Sequence, residues 1–404
     1  MRHYLEELKN FPRRGDLFLL LLCVAPSAFG CLVITSATNY TGGLRHLFVQ
    51  VVAICLGVAV YALVSSFDIS LLAENHRWLV ALNVFMLLLL LTPFGTDKNT
   101  GNRSWLAFPF LPVDIQPAEF CKITYVIIMA TVMSKYQDRI SSIRAVFWMC
   151  FHLLLIMGLN LVISGDLGVS LIFAFVFIGM AWSGGVNGIW FLLGGGLLTA
   201  VAPFIWNYGM KEYQRRRIEV LFNPDIDPFG MDERYHMLRS QRSLFGGGLT
   251  GQGLFQGNRT QGGVLYAQHT DFIFSSIGEE LGFLGCMAVI LLLLAVVARC
   301  IWVGTRSTDF MRKTLCFGVA AALVFQMVVN IGMCIGLVPI IGLTLPFISY
   351  GGSSIVSLYA MVGLVSGVYA RPHRPVHERY IHLPIGVEIK ENYGRKAKKL
   401  EMDD

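Results

Sequence analysis

The sequence predicts an all-α polytopic membrane protein with ten transmembrane helices. Three observations lead there. The 404-residue chain is 55% hydrophobic and only 14% charged, whereas a soluble protein carries about 25% charged residues. Its apolar runs reach the roughly 20 residues that a helix needs to span a bilayer. Lipid admits only helices or closed barrels, because it offers backbone groups no water.

Ten runs qualify, at about 17–37, 46–66, 78–94, 117–134, 144–163, 167–184, 187–207, 274–300, 313–338 and 353–371. The shortest lie at the lower limit for a span. Basic residues orient them. With the N-terminus inside, the inner segments hold Arg2, Lys9, Arg13, Arg14, Arg77, Lys135, Arg139, Arg144, Arg299, Arg306, Arg312, Lys313, Arg371, Arg374 and Arg379. The short outer loops hold only Arg45, Lys98 and Arg103. Fifteen against three is a strong positive-inside bias. It places both termini in the cytoplasm and the long 207–271 segment outside. The first apolar run is long and lacks a small-residue cleavage site, so no cleavable signal peptide is expected.

The net charge of +6 belongs mainly to inner loops and the C-terminal tail. Topology and anionic lipid account for it, and no nucleic acid is expected. All nine cysteines lie in or beside apolar runs, with no Cys-x-x-Cys spacing. They read as packing residues rather than a disulfide framework or metal ligands.

The organisation is one membrane domain over 1–371 and a polar cytoplasmic tail over 372–404, expected to be disordered or surface-bound. The 207–271 loop holds the aromatic-basic run Tyr213-Gln214-Arg215-Arg216-Arg217, a turn-rich stretch at 223–228 and a glycine-dense stretch at 246–257. A loop this long is usually functional or disordered, and its leucines and aromatics favour partial order. The glycine stretch lacks the Gly-Lys-Ser/Thr ending of a nucleotide loop, yet its backbone N–H groups are candidates to approach a phosphate. Residues 336–354 are uncharged and apolar, but their prolines and glycines forbid one straight helix. They read as a re-entrant hairpin lining an outer cavity, or as a merely hydrophobic connector.

Ionisable residues cluster at the outer ends of the spans. Glu119 and Lys122 share a helical face at the start of the fourth. Asp166 occupies the tight turn between the fifth and sixth. Asp271 opens the eighth, and Glu279 and Glu280 lie deeper in it, where charge is expensive. Each has a plainer reading: a structural ion pair for Glu119 and Lys122, helix caps for Asp166 and Asp271, packing groups for Glu279 and Glu280. Arg103, Lys122, Arg215 and Arg217 supply positive charge on the same side, suited to a pyrophosphate.

The motifs match a family. Asn330-Ile331-Gly332-Met333 through Pro339, Leu345-Pro346-Phe347-Ile348-Ser349-Tyr350-Gly351-Gly352-Ser353-Ser354, His269-Thr270-Asp271-Phe272-Ile273-Phe274, Ile277-Gly278-Glu279-Glu280-Leu281-Gly282 and Gln116-Pro117-Ala118-Glu119-Phe120-Cys121-Lys122 carry the resemblance. From the first span to about Arg371 the chain resembles the SEDS proteins, the RodA/FtsW/SpoVE peptidoglycan glycosyltransferases. Asn258-Arg259-Thr260-Gln261 looks more like RodA than FtsW. There are departures: Gly165 stands where the family usually has proline before Asp166, Ala118 replaces a common serine, and Arg234-Tyr235-His236 replaces Gly-Tyr-Gln.

The resemblance implies polymerisation of lipid II, a disaccharide-pentapeptide on undecaprenyl pyrophosphate, into undecaprenyl-linked glycan at the outer face of a bacterial plasma membrane. It implies that Asp271 is catalytic and that Arg103, Glu119, Lys122, Asp166, Arg217, Glu279, Glu280, Ser349 and Ser353 bind substrate. A divalent cation, magnesium or manganese, is the one cofactor it allows. It also implies a class B penicillin-binding transpeptidase as partner, which we expect along the eighth and ninth spans at Gly282, Gly285, Ala288, Gly318, Ala320, Ala321 and Ala322. Two other functions compete: a flippase for the lipid-linked precursor, which calls for polar groups at the midplane and internal repeats, and a noncatalytic scaffold, which makes Asp271 dispensable.

Overall fold

The computed structural model describes residues 11, 14–97, 102–108, 114–227, 231, 234–265 and 267–371. The tail over 372–404, expected to be disordered or surface-bound, lies outside them.

The helices are α1 (Leu17–Ala37), α2 (Leu44–Ser66), α3 (Ile69–Glu74), α4 (His76–Leu88), α5 (Pro117–Lys135), α6 (Ile143–Ser164), α7 (Leu167–Ser183), α8 (Gly188–Phe204), α9 (Glu212–Phe222), α10 (Tyr235–Gly246), α11 (Asn258–Gln261), α12 (Ile273–Arg306), α13 (Phe310–Ile335) and α14 (Gly352–Ala370). A two-residue antiparallel pair, β1 (Gly95–Thr96) and β2 (Trp105–Leu106), closes the loop after α4. Eight helical segments are long and apolar enough to cross a membrane: α1, α2, α5, α6, α8 with its extension to Gly209, α12, α13 and α14. Two shorter apolar helical stretches, His76–Leu91 and Leu167–Ser183, occupy the other two expected positions.

Local sequence sets the helix ends. Asp16, Asp68, Ser142, Asp166, Asn187 and Asp309 each accept a backbone N–H at a helix N-terminus, which satisfies a donor that no intrahelical carbonyl reaches. Gly165 ends α6 in the left-handed region at φ 72°, turning the chain directly into the Asp166 cap.

The core lies among α1, α2, α5, α7, α12, α13 and α14. α14 runs closely along α2, where a side chain at Gly57 meets the Tyr359 ring and one at Gly363 meets the Tyr61 backbone. α8 differs: none of its residues is buried. It is tethered near its start, where Asn187 N–H and the Trp190 indole donate to Ser141 at 2.9 Å each.

At the bundle end opposite Asp271, ion pairs lock the helices. Arg299 on α12 grips Asp16 before α1 with contacts of 2.9 and 3.1 Å. Buried Arg312 on α13 reaches Asp68 before α3 at 3.4 Å. The long loop is partly ordered, as expected, and holds α9, α10 and α11. Residues 337–351 contain no helix, and Leu343, Leu345, Phe347 and Ile348 are buried. The segment is therefore an irregular stretch covered by protein, as its prolines and glycines require.

One expectation is overturned by the packing. The small residues of α13 do not face outward. A side chain at Gly318 meets Met180 and Val126, and Ala320 and Ala322 are buried. Gly179 of α7 lies against Ala321. These residues let α13 approach α5 and α7, so they are not available to a partner helix.

Candidate active site

Asp271 sits in a turn just before α12 and is half-buried. Its backbone is held from three sides. Asn330 on α13 donates its amide to the carbonyls of Asp271 at 2.8 Å and Leu343 at 2.7 Å. Ser349 donates to the Thr270 carbonyl at 2.6 Å and accepts the Leu345 N–H at 2.9 Å. Tyr350 N–H donates to the His269 carbonyl at 2.9 Å. The 337–351 segment is thus stitched to the turn, and a Cβ built on Gly342 lies 3.8 Å from Asp271 Oδ2.

The Asp271 carboxylate has no ion-pair partner among the described residues. Burial first, and the negative charge of Asp166 to a lesser degree, raise its pKa to about 6 against a lowering contribution from the Thr270 hydroxyl. A carboxylate poised there is mostly ionised at neutral pH yet basic enough to accept a proton. Neighbouring His269 is pushed down to about 4 by burial and by His46. It packs as a neutral ring between His46 and Tyr350, with centroids 5.2 and 5.6 Å away.

Asp166 faces this carboxylate from the start of α7. Its Oδ1 caps Val169 N–H at 3.1 Å, and its Oδ2 accepts from Gln116 at 3.3 Å and Ser104 at 3.5 Å. Its pKa is raised by burial first and by Glu119 to a lesser degree, while the Val169 N–H and Lys122 hold it down. Glu119 and Lys122 form the pair their spacing predicts, at 2.8 Å and nearly sealed from solvent. Ser357 of α14 donates to the other Glu119 oxygen. Asp271, Asp166, Glu119 and Lys122 therefore form one electrostatic group drawn from α5, α7 and the entry to α12.

Two concavities flank it. One, of about 410 Å³, is lined by Arg45, His46, Trp105, Asp114, Tyr350 and Ser353. The other is a narrow pocket where Arg217 and Tyr213 of α9 meet Gly165, Asn102 and Ile340. Arg217 donates to the Ile340 carbonyl at 3.1 Å and lies 5.4 Å from the Tyr213 ring centroid.

Other expected ligands of substrate are placed elsewhere. Arg103 is exposed and turns back on its own loop, donating to the Thr92 carbonyl at 2.8 Å and the Gly95 carbonyl at 3.3 Å. Glu279 is 0% exposed and accepts from Arg259 N–H, Thr260 N–H and the Thr260 hydroxyl at 2.8, 3.0 and 2.7 Å. Glu280 is 1% exposed and accepts from Ser36 at 2.7 Å and Gln261 at 2.9 Å. Both carboxylates anchor the long loop to the bundle. Ser349 acts on the backbone of the turn, while Ser353 lines the larger cavity.

Three N–H groups of the glycine stretch are taken by carbonyls of the protein itself. Gly251, Gln252 and Gly253 donate to the carbonyls of Gly247, Glu279 and Glu280. The reason is a break in α12 at Gly282, where φ is 66° and ψ is −164°, a conformation open to glycine and strained for other residues. Beyond the break, Phe283 and Leu284 donate to the loop carbonyls of Gly248 and Leu249 at 2.9 and 3.2 Å. The loop supplies the hydrogen bonds that the helix forfeits.

Sequence reasoning gave no role to Asn330, Gln116, Ser357 or Ser104. Asn330 carried a signal, a lone amide in an apolar span. Ser104 and Ser357 carried none, because serine is ordinary at both places.

The profile of a family described as cell cycle protein (FtsW, RodA, SpoVE) matches residues 16–373. The chain is 34% identical over 366 residues to a probable peptidoglycan glycosyltransferase FtsW of Trichlorobacter lovleyi, covering 88% of this chain and 93% of that one. It is 28% identical to the peptidoglycan glycosyltransferase MrdB of Escherichia coli K12, covering 88% and 93%. Among solved structures it is similar to a chain of a peptidoglycan synthase complex, with a TM-score of 0.76, 27% identity and coverage of 89% and 99%. It is also similar to the Thermus thermophilus rod shape determining protein RodA, with a TM-score of 0.66, 25% identity and coverage of 89% and 98%. Relatives carry both subgroup names, so the likeness of Asn258–Gln261 to RodA does not decide between them. The match along nearly the whole chain and the shared helical architecture lead to one conclusion: this protein belongs to the FtsW/RodA/SpoVE family.

Proposed function

We propose that Asp271 is the general base of a lipid II polymerase. The coarser activity is that of the family, a peptidoglycan glycosyltransferase in the multi-pass membrane proteins of the bacterial plasma membrane. The observation that carries the finer reading is the Asp271 carboxylate: held by its backbone, without an ion-pair partner among the described residues, and with its pKa raised to about 6.

In this reading α4 and α7 complete ten spans, and the Asp271 end of the bundle faces outward, as the basic residues require. The lipid tail of the substrate stays in the bilayer and its sugars enter the cavity. The acceptor 4-hydroxyl attacks C1 of the donor sugar. Its proton passes to Asp271, the new glycosidic bond forms, and the bond to undecaprenyl pyrophosphate breaks with its electron pair on the leaving oxygen. One base suffices because pyrophosphate leaves without protonation, unlike the leaving group of a two-carboxylate glycosidase.

Arg217 is the cation for the leaving group, while Lys122 acts from within its pair with Glu119. No cluster of three or more His, Cys, Asp or Glu side chains suited to a metal occurs among the described residues. Magnesium ordinarily takes one or two carboxylates together with substrate phosphates. Asp271 or Asp166 together with the substrate pyrophosphate would supply that set, and the basic side chains would share the leaving-group charge with such an ion.

The test is polymerisation of labelled lipid II by the purified protein, wild type against Asp271→Asn. Polymer should be absent from the variant although it folds and inserts normally. Near-normal polymer from it would sink the assignment and favour a scaffold.

We further propose a class B penicillin-binding transpeptidase as partner, its single membrane helix lying on α12. Phe283, Leu284, Met287, Leu291 and Leu294 are exposed there. An apolar cavity of about 350 Å³ opens beside them against Leu244 and Ile331. Photocrosslinkers at Met287 and Leu291 should capture the partner, and capture only from another helix would refute this placement.

A further inference from the structure

A basic concavity lies away from Asp271, at the other end of the bundle. It measures about 470 Å³ and is lined by His76 and Arg77 of α4, Lys135 and Tyr136 at the end of α5, and Arg144 and His152 of α6, with Val80, Val132 and Trp148 as apolar wall. Arg77, Lys135 and Arg144 make no ion pair among the described residues. Glu74 and Asp138, both exposed nearby, do not pair with them.

Three features distinguish this cluster from basic residues scattered along an inner face. The groups come from three helices and converge on one hollow. Lys135 donates to His76 Nε2 at 3.1 Å, so the imidazole is a neutral acceptor that turns the ammonium toward the cluster. His152 is 9% exposed and directs its Nδ1 to the Trp148 carbonyl at 2.7 Å, which fixes its ring in the wall.

Helix polarity makes the arrangement costly without a ligand. α4 and α6 both begin here, and neither has an acidic residue in its first turn. Arg77 and Arg144 instead add positive charge to two helix N-termini, which favour anions. An anion in the hollow relieves both the repulsion among the cations and their conflict with the helix dipoles. The wall decides which anion. Charged groups at the mouth give way to Val80, Val132 and Trp148, the profile of a group that is anionic at one end and hydrocarbon at the other.

We propose that this hollow binds the phosphodiester headgroup of an anionic phospholipid, with an acyl chain lying along the apolar wall. Basic pockets between transmembrane helices suit such headgroups. The proposal relies on the inside-outside assignment only for naming the leaflet, which would be the cytoplasmic one.

The test uses the full-length protein in a neutral detergent, titrated separately with dioctanoyl phosphatidylglycerol, dioctanoyl phosphatidylcholine and inorganic phosphate. Thermal midpoint and native mass spectrometry are the readouts. Phosphatidylglycerol should raise the midpoint and remain bound as a discrete adduct, whereas the other two should do neither. In Arg77→Gln/Arg144→Gln its apparent affinity should fall about tenfold or more, as expected for two juxtamembrane cations. Arg139→Gln, which removes an exposed charge outside the hollow, should leave affinity unchanged. An equal response to phosphatidylcholine, or equal loss in Arg139→Gln, would overturn the site. A matching response to inorganic phosphate would overturn the lipid assignment. Should the double variant fold poorly, Arg144→Gln alone must still weaken binding, and unaltered affinity in it refutes the proposal. Lipid II polymerisation by the variants in neutral detergent should persist, which separates this outcome from failure of the Asp271 reading.

Discussion

Asp271 and Glu279 stand eight residues apart where the chain enters α12, and the fold treats their carboxylates in opposite ways. Glu279 is sealed and receives two backbone N–H groups and one hydroxyl from α11. Asp271 has its backbone fastened by Asn330, while its carboxylate has no ion-pair partner among the described residues. Similar side chains thus serve two ends. A carboxylate saturated with donors holds structure. One whose main chain is fixed and whose oxygens are not committed to a cation is made more basic by its burial, which raises its pKa to about 6.

The comparison is open to attack at four points. The largest effect should come from Asp271→Asn, which keeps size and removes the base. Polymerisation should fall by about 10²–10⁴-fold with the thermal midpoint nearly unchanged. In the wild type, Asp271 must be ionised to accept a proton, so the rate should fall as pH drops through about 6. A flat profile from pH 5 to 8 would exclude it as the titrating base.

Next is the buried pair on α5. Lys122→Ala leaves Glu119 as an uncompensated charge and should destabilise by about 3–5 kcal/mol. The double variant with Glu119→Ala should recover part of that loss. Strict additivity in a thermal double-mutant cycle would show the two to be uncoupled.

Glu279→Ala should show the opposite character to Asp271→Asn. It strands the Arg259 and Thr260 N–H groups and should cost about 1–3 kcal/mol of stability. Any activity loss should follow the folded fraction. A tenfold fall in rate at unchanged stability would move Glu279 into the chemistry and erase the contrast.

The smallest effect belongs to Arg103→Gln. Its guanidinium serves its own loop carbonyls, so substitution should change stability within about 0.5 kcal/mol and leave the apparent affinity for lipid II unaltered. A marked rise in KM would return it to the substrate.

Much of this was legible in the sequence. Hydropathy located the helices to within a few residues, since the requirement to satisfy backbone groups in lipid leaves little choice. The Glu119–Lys122 pair followed from helical spacing, and Asp166 is both a cap and a member of the Asp271 group. What escaped depends on contacts between distant segments. Gly318 and Ala321 look alike whether they face a partner or α7. Glu279 looks like a ligand until α11 folds onto it. The glycine stretch resembles an anion loop until α12 breaks at Gly282 and claims its N–H groups.

That break has a kinetic consequence. A bilayer helix usually protects its own amides, but the Phe283 and Leu284 amides answer to the carbonyls of Gly248 and Leu249 in the glycine stretch. Their deuterium uptake should therefore follow the opening of the loop and not the fraying of the span. Shortening the glycine stretch, a change that a long connector usually tolerates, would here unmask the Phe283 and Leu284 amides. The loop behaves as a splint, and the span cannot be separated from it.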